Sequence, residues 1–377
     1  MKGTRNRRQR GISLVELMVA MVVGLLLLSG VIQIFISSKA TYETQERLAR
    51  LQESGRFATM TLSRHLRMAG YVGCGGRGGS VFNNLAGFED DVAYDFARGL
   101  YGSEFANTGP DDTDDDNPLD LGDDDLDDGS WSPALPADLT GNVTLGTDVL
   151  VVRGMAGRPV RALASESGNP IGSSNQFRVR HPNDFNGGDI LMITDCRKSS
   201  IFQINTISHE AGDNRSVITR GGGNHTPGNE ISSGPMPADQ RYEHASEVAR
   251  LETVAYYVGT DDGVPTLFRH VLSNPDGAAE PLIEGVENMQ LLYGVDNNGN
   301  RSVDAYVTAA DVEAADVWAE VIAVRFGLLV RSEQPVHDMP GTGGRLFSLA
   351  GTLVSVPDDN LQRQSFSGTV SLRNRAQ

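Results

Sequence analysis

The sequence predicts an α+β protein in which one long N-terminal helix packs on a large, mostly antiparallel β head. The first observation is a stretch from Ile12 to Ala69 that is apolar and then amphipathic with the period of a helix. The second is a series of short β-branched runs from Val143 onward, separated by Gly, Asn, Asp and Pro. With 377 residues, the chain can hold one large core or two modest ones.

The chain begins with a basic leader, residues 1–11, followed by the apolar half of the helix, residues 12–36. The leader has no acidic residue, and its charged residues are Lys2, Arg5, Arg7, Arg8 and Arg10. About 20 apolar residues, each rising about 1.5 Å, cross a bilayer core of about 30 Å. Because basic flanks stay in the cytoplasm, we expect a single-pass protein of the inner membrane whose remaining chain lies outside.

Two interpretations of this start leave something unexplained. A cleaved secretory signal has a shorter apolar region and a small-residue cleavage site, and residues 37–39 match such a site weakly. A plain signal anchor fits the length and charge. It does not explain Glu16, because a carboxylate inside an apolar segment is costly and usually marks a function.

Residues 37–69 predict the amphipathic half of the same helix, which is therefore about 55 residues long. Apolar and small residues recur there at steps of three and four: Leu48, Leu51, Gly55, Ala58, Leu62, Leu66 and Ala69. We expect this stripe to pack against the head, with Gly55 allowing another backbone to come close.

Acidic residues are concentrated in one region. The net charge is −17, and between Arg98 and Arg153 the chain has fourteen Asp and Glu and no Lys or Arg. This balance argues against a nucleic-acid partner, which requires a basic face. We expect residues 70–142 to form a Gly-rich, acidic, irregular insert. Its aspartate runs, 111–116 and 123–128, fit either a solvated loop or weak calcium capture.

Residues 143–377 predict the β-rich head. The expected strands are 143–155, 176–180, 190–196, 201–207, 217–220, 250–259, 266–272, 283–295, 321–331 and 368–373. Residues 261–265 (Asp-Asp-Gly-Val-Pro) predict a hairpin turn. Thr308 and Asp311 predict the capped start of a short helix.

Two sets of residues in the head are candidate sites. Cys74 and Cys196 are the only cysteines, and an exported position favours a disulfide between them over two unpaired thiols. Asp296, Asn298, Asn300 and Asp304 place oxygen side chains at steps of two, two and four, as in loops that wrap calcium. The alternative for this second set is an Asn/Gly turn between strands.

The remaining motifs do not indicate catalysis. The seven histidines are scattered, with no paired metal spacing. Residues 73–78 match G-x-G-x-x-G, but a helix precedes them where a nucleotide fold needs a strand. No Ser elbow, P-loop or H-E-x-x-H motif is present. We therefore expect no enzyme and no required cofactor, with calcium as the one candidate ligand.

Residues 10–18 (Arg-Gly-Ile-Ser-Leu-Val-Glu-Leu-Met) resemble the type IV pilin signature. The resemblance implies that prepilin peptidase cuts between Gly11 and Ile12 and that Ile12 becomes N-methylated. It also implies that Glu16 pairs with the terminal amine of a neighbouring subunit and so sets the register of assembly. Ile12 departs from the phenylalanine usual in major pilins.

Four further segments look similar to the PilW group of minor pilins: residues 48–57, 66–74, 284–296 and 370–375. Asp195-Cys196 look similar too. The resemblance implies a type IV pilin-like fold and a subunit that primes the filament with other minor pilins, the major pilin and the inner-membrane assembly platform. A tip adhesin is a further candidate partner. The resemblance also implies that the subunit is finally located in the extracellular pilus. The alternatives are a type II secretion pseudopilin, or a calcium-dependent adhesin or ligand-binding module mounted on the pilus.

Overall fold

The computed structural model describes residues 13–71, 80–88, 91–122, 126, 130–163, 168–210, 212–221, 223, 225–231, 233–243, 246–274, 277–335 and 344–372. These residues form two α-helices, α1 (Leu14–Met68) and α2 (Ala309–Ala315), and nineteen strands. The strands are β1 (Ser80–Asn83), β2 (Leu100–Phe105), β3 (Leu119–Asp120), β4 (Trp131–Ser132), β5 (Val149–Leu163), β6 (Gln176–Arg180), β7 (Ile190–Thr194), β8 (Lys198–Gln203), β9 (Thr206–Glu210), β10 (Arg215–Thr219), β11 (Glu247–Asp261), β12 (Val264–Val271), β13 (Glu280–Glu284), β14 (Val286–Val295), β15 (Ala305–Val307), β16 (Val321–Arg331), β17 (Leu346–Leu349), β18 (Thr352–Ser355) and β19 (Arg363–Ser371).

The predicted α+β architecture is confirmed. Helix α1 has 55 residues and is therefore about 80 Å long. Its C-terminal part packs on the head, where Leu51, Gly55, Ala58, Leu62 and Leu66 are buried. Leu48, which we expected on the same stripe, is 36% exposed because the packed part of the helix begins one turn later.

The strands of the described residues form three sheets of twelve, four and three strands. The largest runs in the order β1-β8-β7-β11-β5-β6-β10-β9, with β12–β13 attached to β11 and β2–β4 attached to β5. The four-stranded sheet runs β15-β14-β16-β19, and the third runs β17-β18-β3. Every pairing is antiparallel except β1 with β8 and β18 with β3. The head is therefore mostly antiparallel, as the sequence predicts.

The predicted irregular segment, 70–142, contains four short strands and is part of the head. Strand β2 is buried at all six residues, and it pairs with β5. Strand β3 pairs with β18, and Leu119 lies in a small core with Leu329, Leu349 and Val354. These strands were missed because two to six residues carry too little periodicity, and their partners are distant in sequence.

Two predicted strands are each divided in the structure. The run 201–207 changes partner at Asn205, because the N–H of Ile204 donates to Asp189 O while that of Asn205 donates to Thr219 O. The run 283–295 is interrupted at Gly285, which has a φ of +85°. A Cβ at Gly285 would lie 2.7 Å from Arg331 O, so both the φ and the close approach require glycine.

The locally encoded features appear where the sequence places them. Strands β11 and β12 form the predicted hairpin, with Asp262 and Gly263 both at positive φ. Helix α2 begins at the predicted capping box, in which Thr308 Oγ1 accepts the N–H of Asp311 and the Asp311 carboxylate accepts the N–H of Thr308.

A buried carboxylate joins the large sheet to the four-stranded sheet. Asp148 accepts the N–H groups of Phe105 at 3.2 Å and Leu291 at 2.8 Å, and so connects the end of β2 and the start of β5 to β14. Burial raises the pKa of Asp148 well above its usual range, and nearby Glu104 raises it further. The two sheets and the docked part of α1 enclose the main hydrophobic core.

Candidate functional site

The N-terminal part of α1 is an apolar surface that the head does not cover. The large apolar side chains from Leu14 to Ile36 are between 48% and 74% exposed. Glu16 lies in the first turn and is the only charged residue between Leu14 and Ser38. Within the described residues, α1 is the one helix long and apolar enough to cross a membrane. The fold therefore presents a free apolar rod with a single carboxylate near its tip.

The predicted processing site adjoins this rod. Gly11 and Ile12 lie outside the described residues, so cleavage between them and methylation of Ile12 stay predictions. Glu16 lies in the helix, three residues after its N-cap, Ser13. Negative charge is favourable at this end of a helix.

The C-terminal part of α1 is attached to the head by close packing at Gly55. A Cβ on Gly55 would lie 2.1 Å from Cε2 of Phe366 in β19, well inside contact distance. The aromatic ring therefore occupies the space that any larger residue would need. The sequence predicts that another backbone comes close at Gly55, and this is wrong in its partner: the close neighbour is the Phe366 side chain, because β19 turns this ring toward the helix.

The end of α1 is fixed by hydrogen bonds to β5. The N–H of Gly70 donates to Arg153 O at 2.7 Å, and that of Met155 donates to Tyr71 O at 2.9 Å. The guanidinium of Arg153 is buried and donates to the carbonyl oxygens of Val92 and Arg98. Burial lowers the pKa of Arg153 to about 10. This cation therefore holds the 91–98 loop under the helix end.

A histidine on α1 contacts a tyrosine of the large sheet. His65 Nδ1 lies 2.6 Å from Tyr256 Oη, and the two rings stack with centroids 5.4 Å apart. Burial lowers the pKa of His65, and the nearby Arg269 and Arg64 lower it further. The neutral imidazole accepts the tyrosine hydroxyl hydrogen, so this contact favours the deprotonated histidine.

A buried ion-pair network connects the strands beneath α1. Glu287 in β14 accepts hydrogen bonds from Arg363 Nε at 2.6 Å and Nη2 at 3.0 Å. Asp359 accepts from Nη1 and Nη2 of the same guanidinium at 2.8 and 2.7 Å. The Arg363 side chain is fully buried. Its pKa is raised: burial opposes the shift, but the bonds to Asp359 and Glu287 outweigh it. The sequence pattern gave no indication of this network, because Glu287 lies 76 residues before Arg363.

The predicted disulfide is described at one of its two positions. Cys196 lies in the turn between β7 and β8, with a φ of +70°, and its N–H donates to Thr194 Oγ1. Cys74 lies outside the described residues. The pairing of Cys74 with Cys196 stays a prediction.

The structure brings the four predicted calcium ligands into one tight loop. The carboxylate of Asp296 accepts the N–H groups of Asn298, Gly299, Asn300 and Arg301. Asn298 Nδ2 donates to both carboxylate oxygens of Asp304, at 2.8 and 3.0 Å. Burial by itself would raise the pKa of Asp296, but the hydrogen bonds from the four N–H groups outweigh that effect and hold the pKa below its usual range. These bonds account for the loop as a turn, and calcium binding stays a prediction.

Among the open clefts formed by the described residues, two are comparatively large. One, of about 490 Å³, lies between α1 and β13 and is lined by Arg50, Phe57 and Ile283, among others. The other, of about 610 Å³, is more polar and contains His225, Arg250 and other polar residues. Neither contains a nucleophile arranged with a base, and the described residues hold no group of three His, Cys, Asp or Glu side chains that fits a metal ion.

Comparison with known families gives two matches. Residues 6–32 match the prokaryotic N-terminal methylation motif, and residues 255–374 match the family described as type IV pilus-assembly protein W. Searches of curated proteins and of solved structures gave no match. The first match includes Glu16 and the start of the free apolar rod. The second includes Glu287, Arg363 and Phe366, of which Phe366 packs against Gly55 of α1. The two matches confirm the resemblance found in the sequence: the chain is similar to prepilin-like proteins at its N-terminus and to type IV pilus-assembly protein W over residues 255–374.

Proposed function

We propose that this minor pilin primes filament assembly at the pilus tip. The observation that carries the proposal is the division of α1 into a docked part and a free apolar part. The free part leaves large apolar side chains at least 48% exposed, which in water is unfavourable. Such a surface is stable inside a bilayer or against the helices of other subunits. The same segment therefore stores the subunit in the inner membrane and later packs it into the filament.

Glu16 provides the specificity of this transfer. A carboxylate in an apolar setting requires a partner charge. After cleavage between Gly11 and Ile12, a neighbouring subunit's N-methylated terminal amine supplies that charge. Pairing sets the axial register of the two subunits. Because an unpaired charge is costly in the apolar core, subunits in another register are disfavoured.

The head supplies recognition. It faces the periplasm while the rod lies in the inner membrane, and it then contacts the other minor pilins, the major pilin and the assembly platform. A tip adhesin is a further partner of the same surface. The head is bulky, with a twelve-stranded sheet attached to one helix, which favours the tip, where it has neighbours on one side only. The role is structural and non-enzymatic, consistent with both family matches.

Mass spectrometry of the N-terminus, from membranes and from sheared pili, tests processing and location. We expect an N-methylated peptide beginning at Ile12 in both fractions. An intact leader would overturn the filament role. A processed peptide in membranes alone would favour a type II secretion pseudopilin or an initiator that stays behind.

Glu16→Ala tests the register. We expect normal cleavage and a strong loss of surface pili. Glu46→Ala is the matched control, because Glu46 is an exposed glutamate of the same helix outside the apolar part, and its ion pair, with Arg50, lies at the surface. Normal piliation by the Glu16 variant would refute the pairing role.

A further inference from the structure

Three arginines form a row across the outer face of the large sheet. Arg180 of β6 lies directly opposite Arg215 of β10, and the β5–β6 register, continued by one residue, puts Arg161 of β5 on its other side. The neighbours of these residues along the strands are buried: Ala162, Val179 and Ser216. Because side chains alternate along a strand, the three arginines lie on the solvent face. We name Arg161, Arg180 and Arg215 the arginine row.

Among the described residues, carboxylates neutralise one end of the arginine row. Arg215 pairs with Glu210 of β9 and with Asp213 in the β9–β10 turn. Arg161 and Arg180 are exposed, and neither side chain has an ion pair or a hydrogen bond within the described part of the chain. Arg180 thus has a cation on each adjacent strand, and like charges directly opposite one another destabilise an antiparallel pair. The sheet keeps this cation at a cost to its own stability.

The arginine row has the chemistry of a carboxylate receptor. A guanidinium presents parallel N–H donors that match the two oxygens of a carboxylate. Opposite residues of an antiparallel pair have Cβ atoms about 4.5–5.5 Å apart, so one carboxylate can accept hydrogen bonds from Arg180 and from its neighbour in the row. A bound carboxylate would offset the repulsion between these cations. The unpaired arginines therefore fit an acidic partner.

The charges around the arginine row favour a protein over a polyanion. Glu247 of β11 lies opposite Arg161, and Glu210 lies opposite Arg215, so each end of the row adjoins a carboxylate. A nucleic acid or an acidic polysaccharide carries charge at each repeat and would meet these carboxylates as well as the arginines. A protein surface can place one or two carboxylates over the centre of the row alone. The net charge of the chain, −17, also repels a polyanion at long range.

We propose that the arginine row binds an acidic patch on another subunit of the pilus. The inference rests on the proposed function, in which the head recognises other subunits, and it names the surface and the chemistry of that contact. The row is separate from the packing of α1. Met155 of β5 bonds to Tyr71, just after the helix, and Arg161 lies six residues farther along the strand, about 20 Å away. A change in the row therefore leaves the apolar rod in place.

Arg180→Gln in the full-length chain in detergent tests the row without a partner. We expect the midpoint of thermal unfolding to rise by about 1–2 °C, because the variant relieves the repulsion among neighbouring cations. Added NaCl should raise the midpoint of the unchanged chain more than that of the variant, since salt screens this repulsion. Arg197→Gln is the matched control, at an exposed arginine of the β7–β8 turn, and should leave the midpoint unchanged. A midpoint that Arg180→Gln lowers or leaves unchanged would overturn the proposal.

Surface plasmon resonance tests the partner, with the purified, processed minor pilins and major pilin of the same pilus as probes, each in detergent. We expect at least one of them to bind the unchanged chain with saturation. The double variant Arg161→Glu/Arg180→Glu should weaken that binding at least about tenfold, because it sets like charges against each other. The matched control is Arg197→Glu/Arg345→Glu, which changes the net charge equally at exposed arginines outside the row and should bind like the unchanged chain.

Equal weakening by the two double variants would overturn the proposal, because net charge would then govern binding. So would the absence of saturable binding by any subunit. Binding of heparin, single-stranded DNA or a second copy of this chain that depends on the row would also overturn it, if no other subunit bound in that way. Both double variants should still yield the N-methylated peptide beginning at Ile12. An intact leader would instead remove the filament role, so the two failures are distinct.

Discussion

The contact between Gly55 and Phe366 allows a sharp test of how α1 is attached to the head. In Gly55→Ala, the new Cβ would lie 2.1 Å from Cε2 and 2.3 Å from Cζ of the ring, where about 3.5 Å is needed. Moving the ring or the helix to remove this overlap lowers the free energy of unfolding by about 1–3 kcal/mol. Alanine recovers about 1 kcal/mol of helix propensity. We expect a net loss of up to about 2 kcal/mol in the free energy of unfolding.

Urea unfolding in detergent, followed by the fluorescence of Trp131 and Trp318, measures this loss. Both tryptophans lie in the head. Gly30→Ala is the control, because a Cβ there has nothing within 4 Å in the isolated chain. In a Phe366→Ala background the clash is gone, so Gly55→Ala should stabilise by up to about 1 kcal/mol. The reasoning would be refuted if Gly55→Ala had the same sign in both backgrounds.

Three further predictions concern the head. Glu287→Ala should lower the free energy of unfolding by about 3 kcal/mol, because it leaves the buried Arg363 with one acidic partner. Glu280→Ala, at an exposed ion pair, should lower it by less than about 1 kcal/mol. Equal losses for the two variants in urea unfolding would contradict the buried network. Folding lowers the pKa of His65, so the unfolded chain binds the imidazole proton more tightly than the folded chain does. The stability contributed by the His65–Tyr256 contact is therefore full above pH 6.5, the pKa of an unperturbed histidine. It is lost as the pH falls through the folded-state pKa. Thermal unfolding between pH 8 and 5 should show this loss, and His65→Gln should reduce it. The calcium hypothesis for residues 296–304 predicts a saturable heat of Ca²⁺ binding that Asp304→Asn weakens, and silence at millimolar Ca²⁺, on the order of the weakest known protein sites, would remove it.

The architecture suggests how the head tolerates its acidic segment. Thr113 Oγ1 donates to Gly109 O and accepts the N–H of Leu353, and Thr352 Oγ1 donates to Thr108 O. These bonds fix residues 108–113 to β18 while the aspartates at 111–112 and 114–116 remain mostly at the surface. A strongly acidic stretch is thus held by its few neutral residues, because these residues can make hydrogen bonds without the cost of burying charge.

The sequence alone determined the features whose physical cause is local. The 55-residue helix follows from apolar spacing over consecutive turns, the β11–β12 hairpin from Asp262-Gly263, and the start of α2 from Thr308 and Asp311. Two strands, β6 and β16, were predicted with correct bounds. Exposed and buried residues alternate along β6, and nearly all residues of β16 are buried, in each case over one uninterrupted run. In these cases the residues that stabilise the element lie within a few positions of one another.

The tertiary structure decided what depends on distant partners. It made β2 a buried strand by pairing it with β5, and placed Phe366 against Gly55 across more than 300 residues. It likewise joined Glu287 to Arg363 and brought His181 beside His209. None of these contacts leaves a pattern in the residues around it, because packing and ion pairing depend on distance in space, and distance is fixed only when the sheets assemble around their common core.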